Sequence, residues 1–166
     1  MSGDNGLVNL DWAHAILDTL VAAGLEYIVL SPGSRSTPLA LAANRHPGIE
    51  LLVVLDERAA AFHALGLARG SARPVALIAT SGTAGANYHP ALAEAAAWGV
   101  PLIALTADRP PRLRGLGAAQ TIDQVRLYGP TTAYLELAIP SPDPRVRRAA
   151  AQRVAIAVTA AANGPL

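Results

Sequence analysis

Residues 74–99, PVALIATSGTAGANYHPALAEAAAWG, hold the pattern that decides the fold. PVALIAT is apolar until its last residue and lacks the polar alternation of a strand with one wet face, so it reads as a strand buried on both sides. SGTAG is a glycine-containing turn, and ANYHPALAEAAAWG returns as a helix closed by Gly99. A buried strand, a short polar turn and a helix form the repeating unit of a parallel α/β layer.

The same unit recurs on either side. Upstream, Asn9 is placed as the cap of a helix through WAHAILDTLVAAG, with Trp12, Ile16, Leu17 and Leu20 at helical spacing and Gly24 as the stop. EYIVL then reads as a strand, SPGSRSTP as a turn, LALAANRH as a helix, IELLVVL as a strand, DER as an acidic turn and AAAFHALGLARG as a helix. Downstream, PLIALTA is a strand leading into DRPPRLRGLGAAQ. The expectation is four strands, each apolar on both faces, in one α/β domain spanning residues 1–166: a three-layer sandwich whose mostly parallel sheet is covered by helices on both sides. The remainder predicts a short helix around TIDQVRLYG, a strand near YLELAIP and a helix from Asp143 to about Ala162, entered through SPDP. The chain ends at NGPL directly after that helix, which reads as a domain boundary.

Composition narrows the function. With 52% apolar and 15% charged residues, disorder is excluded, and the sparse charge suggests that part of the surface meets another domain or subunit. A formal charge of +1 with scattered basic residues gives no nucleic-acid footprint. The absence of cysteine removes disulfides, thiolate metal sites and a Cys nucleophile together. The opening residues have no basic segment before an apolar core, and no run of 18 apolar residues occurs, so a cytoplasmic protein is expected. No HExxH and no GxSxG is present; the histidines at 14, 46, 63 and 89 read as structural or surface residues, no metal ligands are assigned, and a hydrolase triad is set aside.

In open parallel sheets, ligands collect at the carboxyl ends of the strands. Four turns are expected there: SPGSRSTP, DER, SGTAGAN and DRPPRLRG. Ser34, Arg35 and Ser36 offer hydroxyls, N–H groups and a guanidinium to a carboxylate or phosphate, although a serine that only caps the next helix explains them equally well. Glu57 leaves a buried strand and starts a helix, where the helix dipole favours an acid in any protein; desolvation there would also fit it for proton traffic. Arg109, Arg112 and Arg114 crowd a loop stiffened by two prolines, with Gln120 nearby. SGTAGAN lacks the lysine of a P-loop, and GLGAAQ fails GxGxxG at its last position, so nucleotide binding is weakly indicated.

Taken in order, SPGSRSTPLALA, LDERAAAFHALGLA, ATSGTAGANYHPALAEA and LTADRPPRLRGLGAAQTIDQ resemble the N-terminal, pyrimidine-binding domain of thiamin-diphosphate enzymes over nearly the whole chain. SPGSRSTP, ADRPP and GAAQTIDQ are most similar to the menaquinone-pathway members, which decarboxylate 2-oxoglutarate and add the succinyl carbanion to isochorismate. The resemblance implies that Glu57 hydrogen-bonds the aminopyrimidine and favours its imino tautomer, whose nitrogen removes the thiazolium C2 proton. It places Pro32, Thr83 and Asn87 near the pyrimidine and Ser34, Arg35, Arg109 and Gln120 against substrate. Ala119 departs from the family's usual GANQ, which puts the positioning of Gln120 in question. The diphosphate and Mg²⁺ are held in such enzymes by a GDG motif on a separate domain; this sequence has no GDG. The chain is therefore expected to supply half a site, completed by further domains and a homodimeric or larger assembly, and to be inactive alone. Two alternatives stand beside this reading: the pyrimidine domain of another 2-oxoacid decarboxylase of acetolactate-synthase type, against which SPGSRS with ADRPP argues, and a non-catalytic assembly module.

Overall fold

The computed structural model describes residues 4–130 and 132–160. Helix α1 (Asp4–Ala22) precedes β1 (Tyr27–Leu30), α2 (Thr37–Arg45), β2 (Glu50–Val53), α3 (Glu57–Ser71), β3 (Val75–Ala79), α4 (His89–Trp98), β4 (Leu102–Thr106) and α5 (Pro144–Ala160). Short 3-10 turns occupy Ser34–Ser36, Gly82–Tyr88 and Pro111–Leu113. The strands form one four-stranded parallel sheet in the order β2-β1-β3-β4.

Strand alternation divides the core in two. Ile28, Leu30, Ala76 and Ile78 face α1, α2 and α5, while Val29, Val75, Leu77 and Ala79 face α3 and α4. Trp12, Ile16, Leu17 and Leu20 form the buried stripe of α1, as their spacing requires. On α3 the buried positions are all alanine (Ala60, Ala61, Ala64 and Ala68), so its backbone can approach the sheet closely. The three-layer architecture expected from the sequence is the one observed. None of the described helices is long and apolar enough to cross a membrane.

Four local expectations are corrected. Helix α1 begins at Asp4, so Asn9 lies inside it and does not cap it; Leu10 packs on the core, and that contact carries the helix through residues of low propensity. Strand β2 is not buried on both faces: it is an edge strand with Glu50 and Val53 exposed. TIDQVRLYG forms no helix but a succession of turns, with Arg126 at φ 52° and the segment tied down by its side chains. YLELAIP is no strand: Leu135 and Leu137 turn inward onto the core while Tyr134 and Glu136 face out, yet it pairs with none of the described strands. The stop near Ala162 and the NGPL end lie outside the described residues.

Candidate active site

The strand order reverses direction between β1 and β3, whose following helices α2 and α4 cover opposite faces. That divergence opens a crevice at the carboxyl ends of these two strands. Here the loops come into contact. An added Cβ on Gly33, after β1, would lie 2.3 Å from Cβ of Thr80, after β3, so only glycine fits. The Arg35 N–H donates to Thr80 Oγ1 at 3.2 Å, and the Gln120 amide donates to the same oxygen at 3.3 Å.

Glu57 is the first residue of α3. The capping task belongs to its neighbour: Asp56 Oδ1 accepts from the Ala59 N–H at 2.7 Å. Half-buried, Glu57 lines a cleft of about 390 Å³ whose other walls include Thr80, Ser81, Thr83, Asn87 and Gln120. Thr83 and Asn87 lie one turn apart, with Asn87 Nδ2 donating to the Thr83 carbonyl at 3.0 Å. Gly82 at φ 82° lets Gln120, itself at φ 57°, lie directly against it; a Cβ there would meet the Gln120 backbone at 3.2 Å. The Ser81 hydroxyl is 1% exposed and has no hydrogen-bond partner among the described residues. Behind it, the Tyr88 phenol is also sealed from solvent; Ser31 lies beside it but gives its own proton to the Val54 carbonyl at 3.0 Å, and burial pushes the Tyr88 pKa well above its ordinary value.

Not every expected residue joins this cleft. Glu57, Thr83, Asn87 and Gln120 line it; Pro32, Ser34, Arg35 and Arg109 do not. Pro32, Ser34 and Arg35 are exposed on the loop whose backbone reaches Thr80. Neither serine caps α2 with its side chain: Ser36 donates to the Gly33 carbonyl, and the Ser34 carbonyl accepts from Thr37. Arg109 is half-buried, its N–H bonded to Asp108 and its Nε without a partner among the described residues. The arginine cluster divides by role. Arg114 bridges Asp108 at 2.9 Å and Glu136 at 2.8 Å, and its hydrogen bond to Glu136 is the main reason its pKa lies above the ordinary value. It is thus a structural strut. The histidines stay outside the cleft; His46 accepts from the Gly48 N–H and lies 3.2 Å from Asp18.

Thr80 was passed over in the sequence, although it is the one polar residue of PVALIAT and stands at the exit of a buried strand, and Ser81 was weighed only as a hydrolase nucleophile and set aside for want of a GxSxG motif. Gln124 and Tyr128 were also missed. Gln124 donates to the Ala107 carbonyl at 2.9 Å and Tyr128 to the Gly85 carbonyl at 2.9 Å, and together they fold the segment after Gln120 back over the sheet edge.

Gly33→Ala should destabilise the chain by about 1–3 kcal/mol through overpacking against Thr80. Urea unfolding measures this; a loss below a few tenths of a kcal/mol would mean that the two loops do not touch as described.

Residues 10–127 match the family described as thiamine pyrophosphate enzyme, N-terminal TPP binding domain. The chain is similar to proteins named 2-succinyl-5-enolpyruvyl-6-hydroxy-3-cyclohexene-1-carboxylate synthase: 55% identical to one from Acaryochloris marina over 84% of this chain and 24% of the relative. It is 54% identical to one from Halorubrum lacusprofundi over 90% of this chain and 24% of the relative, and 52% identical to one from Geobacillus kaustophilus over 93% and 27%. It spans about a quarter of the length of these curated relatives. With its parallel sheet, its cleft at the strand ends and Glu57 at the start of α3, the chain belongs to the family of N-terminal, cofactor-binding domains of thiamin-diphosphate enzymes.

Proposed function

We propose that residues 1–166 form the pyrimidine-binding domain of a 2-succinyl-5-enolpyruvyl-6-hydroxy-3-cyclohexene-1-carboxylate synthase, acting on 2-oxoglutarate and isochorismate in menaquinone biosynthesis. The observation that carries the reading is the cleft: Glu57, relieved of capping by Asp56, faces a space bordered by hydroxyls and an amide. The similarity of most of the chain to proteins of that name supports the choice of reaction.

The residues fit the pyrimidine end of the cofactor. A ring bearing nitrogens and an amino group calls for one acid and several neutral polar groups, which Glu57, Ser81, Thr83 and Gln120 provide, and the Ser81 hydroxyl, without a partner among the described residues, is the kind of buried atom a ligand satisfies. They do not fit the metal end: among the described residues no three His, Asp or Glu gather to hold a cation. Mg²⁺ and the diphosphate therefore belong, in this proposal, to further domains of the polypeptide, working in a homodimer or larger homo-oligomer in the cytoplasm.

When bound, thiamin diphosphate supplies the nucleophile and electron sink for decarboxylation and carbon–carbon bond formation. Glu57 donates and accepts the proton at the pyrimidine ring. Thr83 and Asn87 line the cleft that would receive the ring, with Pro32 on the adjoining loop. Ser34, Arg35, Arg109 and Gln120 receive the substrate carboxylates, for which a guanidinium offers paired, charge-assisted hydrogen bonds.

In the intact polypeptide, Arg35→Ala and Arg109→Ala should each raise the KM for a carboxylate substrate about 10- to 100-fold, the value of one charged hydrogen bond. Steady-state turnover with 2-oxoglutarate or pyruvate, in the presence of isochorismate, tests the assignment. Equal use of pyruvate, with no effect of either arginine substitution, would move the chain to another 2-oxoacid decarboxylase.

A further inference from the structure

We infer that Thr80 is a positioning residue that sets Arg35 and Gln120 relative to one another through a single hydroxyl oxygen. The inference rests on the substrate-binding reading of those two residues. Thr80 itself contacts the loop after β1 and the tract before Thr121, one on each side.

The geometry is specific. Thr80 Oγ1 accepts from the Arg35 N–H at 3.2 Å and from Gln120 Nε2 at 3.3 Å. A hydroxyl has two acceptor lone pairs, and both are spent on these donors. Thr80 is only 8% exposed, so water competes poorly for either bond. The remainder of the side chain fixes the loop sterically: its Cβ and Cγ2 fill the space beside Gly33, 2.3 Å and 2.6 Å from where a Cβ would stand. Gln120 is held from the other side by Gly82, and its φ of 57° is an uncommon backbone state for a side-chain-bearing residue. That conformation is retained only where the surroundings enforce it, and Thr80 provides the polar part of the enforcement.

The two residues so joined come from chain segments 85 positions apart. One is carried by the β1 exit and the other by the long tract after β4, whose regular structure among the described residues before α5 is the 3-10 turn Pro111–Leu113. Among the described residues, the Thr80 hydroxyl is the one atom to which both Arg35 and Gln120 are hydrogen-bonded, so it ties the separation of the two directly. Thr80 follows β3, an inner strand paired on both sides, and its oxygen links both residues to that strand.

The test separates the hydroxyl from the methyl. Thr80→Val keeps the shape and removes the acceptor; Thr80→Ser keeps the acceptor and removes the methyl. In the intact polypeptide, Thr80→Val should raise the KM for a carboxylate substrate about 2- to 10-fold, the range of a lost neutral hydrogen bond. Thr80→Ser should restore the wild-type KM. Amide hydrogen exchange gives a readout independent of activity: the Arg35 N–H should lose protection in Thr80→Val, with the β1 amides unchanged, and keep it in Thr80→Ser. Thr80→Ala gives the same reading should valine unfold the protein. Unchanged Arg35 protection with an unchanged KM would overturn the inference, as would a serine variant as impaired as valine. If Arg35→Ala leaves KM untouched, the substrate-binding reading fails by itself, and amide exchange still judges the anchor.

Discussion

Replacing Glu57 by Gln in the intact polypeptide should lower the rate of hydrogen exchange at C2 of bound thiamin diphosphate by about 10²- to 10⁴-fold, the usual contribution of a positioned proton-transfer group. The amide keeps the size of the side chain and its ability to accept a hydrogen bond, but it cannot deliver and recover a proton. Because Asp56 caps α3 through Ala59, the substitution leaves the helix start intact, and the melting temperature should hardly move. That separation matters: an acid at a first helical position is favoured by the dipole alone, and a purely structural Glu57 would show the opposite pattern, a small stability loss and normal exchange. Exchange monitored by proton NMR after rapid quenching gives the answer directly.

The second large effect is on stability. Leu77, fully buried in the middle of β3, belongs to the core half that holds α3 and α4. Leu77→Ala should cost about 2–5 kcal/mol, because the facing alanines of α3 are too short to collapse into the space left behind. Urea unfolding should show a lower midpoint with an unchanged slope. A loss under about 1 kcal/mol would mean that the helix is not seated on the strand as described.

Much of this was legible in the sequence, for physical reasons that differ along the chain. The strands β1, β3 and β4 announced themselves because burial on both faces forbids polar alternation, and the turns between them announced the site because loops at strand ends must carry the polar residues. Glu57 drew attention by its place at a strand exit, although a helix-start acid explains that place equally, and its cofactor role was implied by the resemblance of the surrounding turns. The segment after β4 was misread for an instructive reason. In YLELAIP the alternation is real, with Leu135 and Leu137 inward, but alternation records which side is wet and says nothing of whether a strand is there to pair with. TIDQVRLYG carries helix-tolerant residues, yet Gln124 and Tyr128 spend their side chains on the carbonyls of Ala107 and Gly85, and long-range bonds of that kind leave no periodic trace. Thr80 escaped notice because its importance is relational: one hydroxyl gains its meaning from two distant donors.

The alanine face of α3 has a bearing on redesign. Where a helix rests on a sheet through large side chains, its height can be adjusted by exchanging them; where it rests on alanine, it is already near its lowest seat, and growth at Ala60, Ala61, Ala64 or Ala68 can only lift it. The location of the acid at its tip is thereby inherited as a backbone distance. If Ser34 and Arg35 receive substrate as proposed, variation intended to change which molecules are accepted should be directed to their exposed loop, whose side chains can be exchanged while the helix that carries Glu57 keeps its footing.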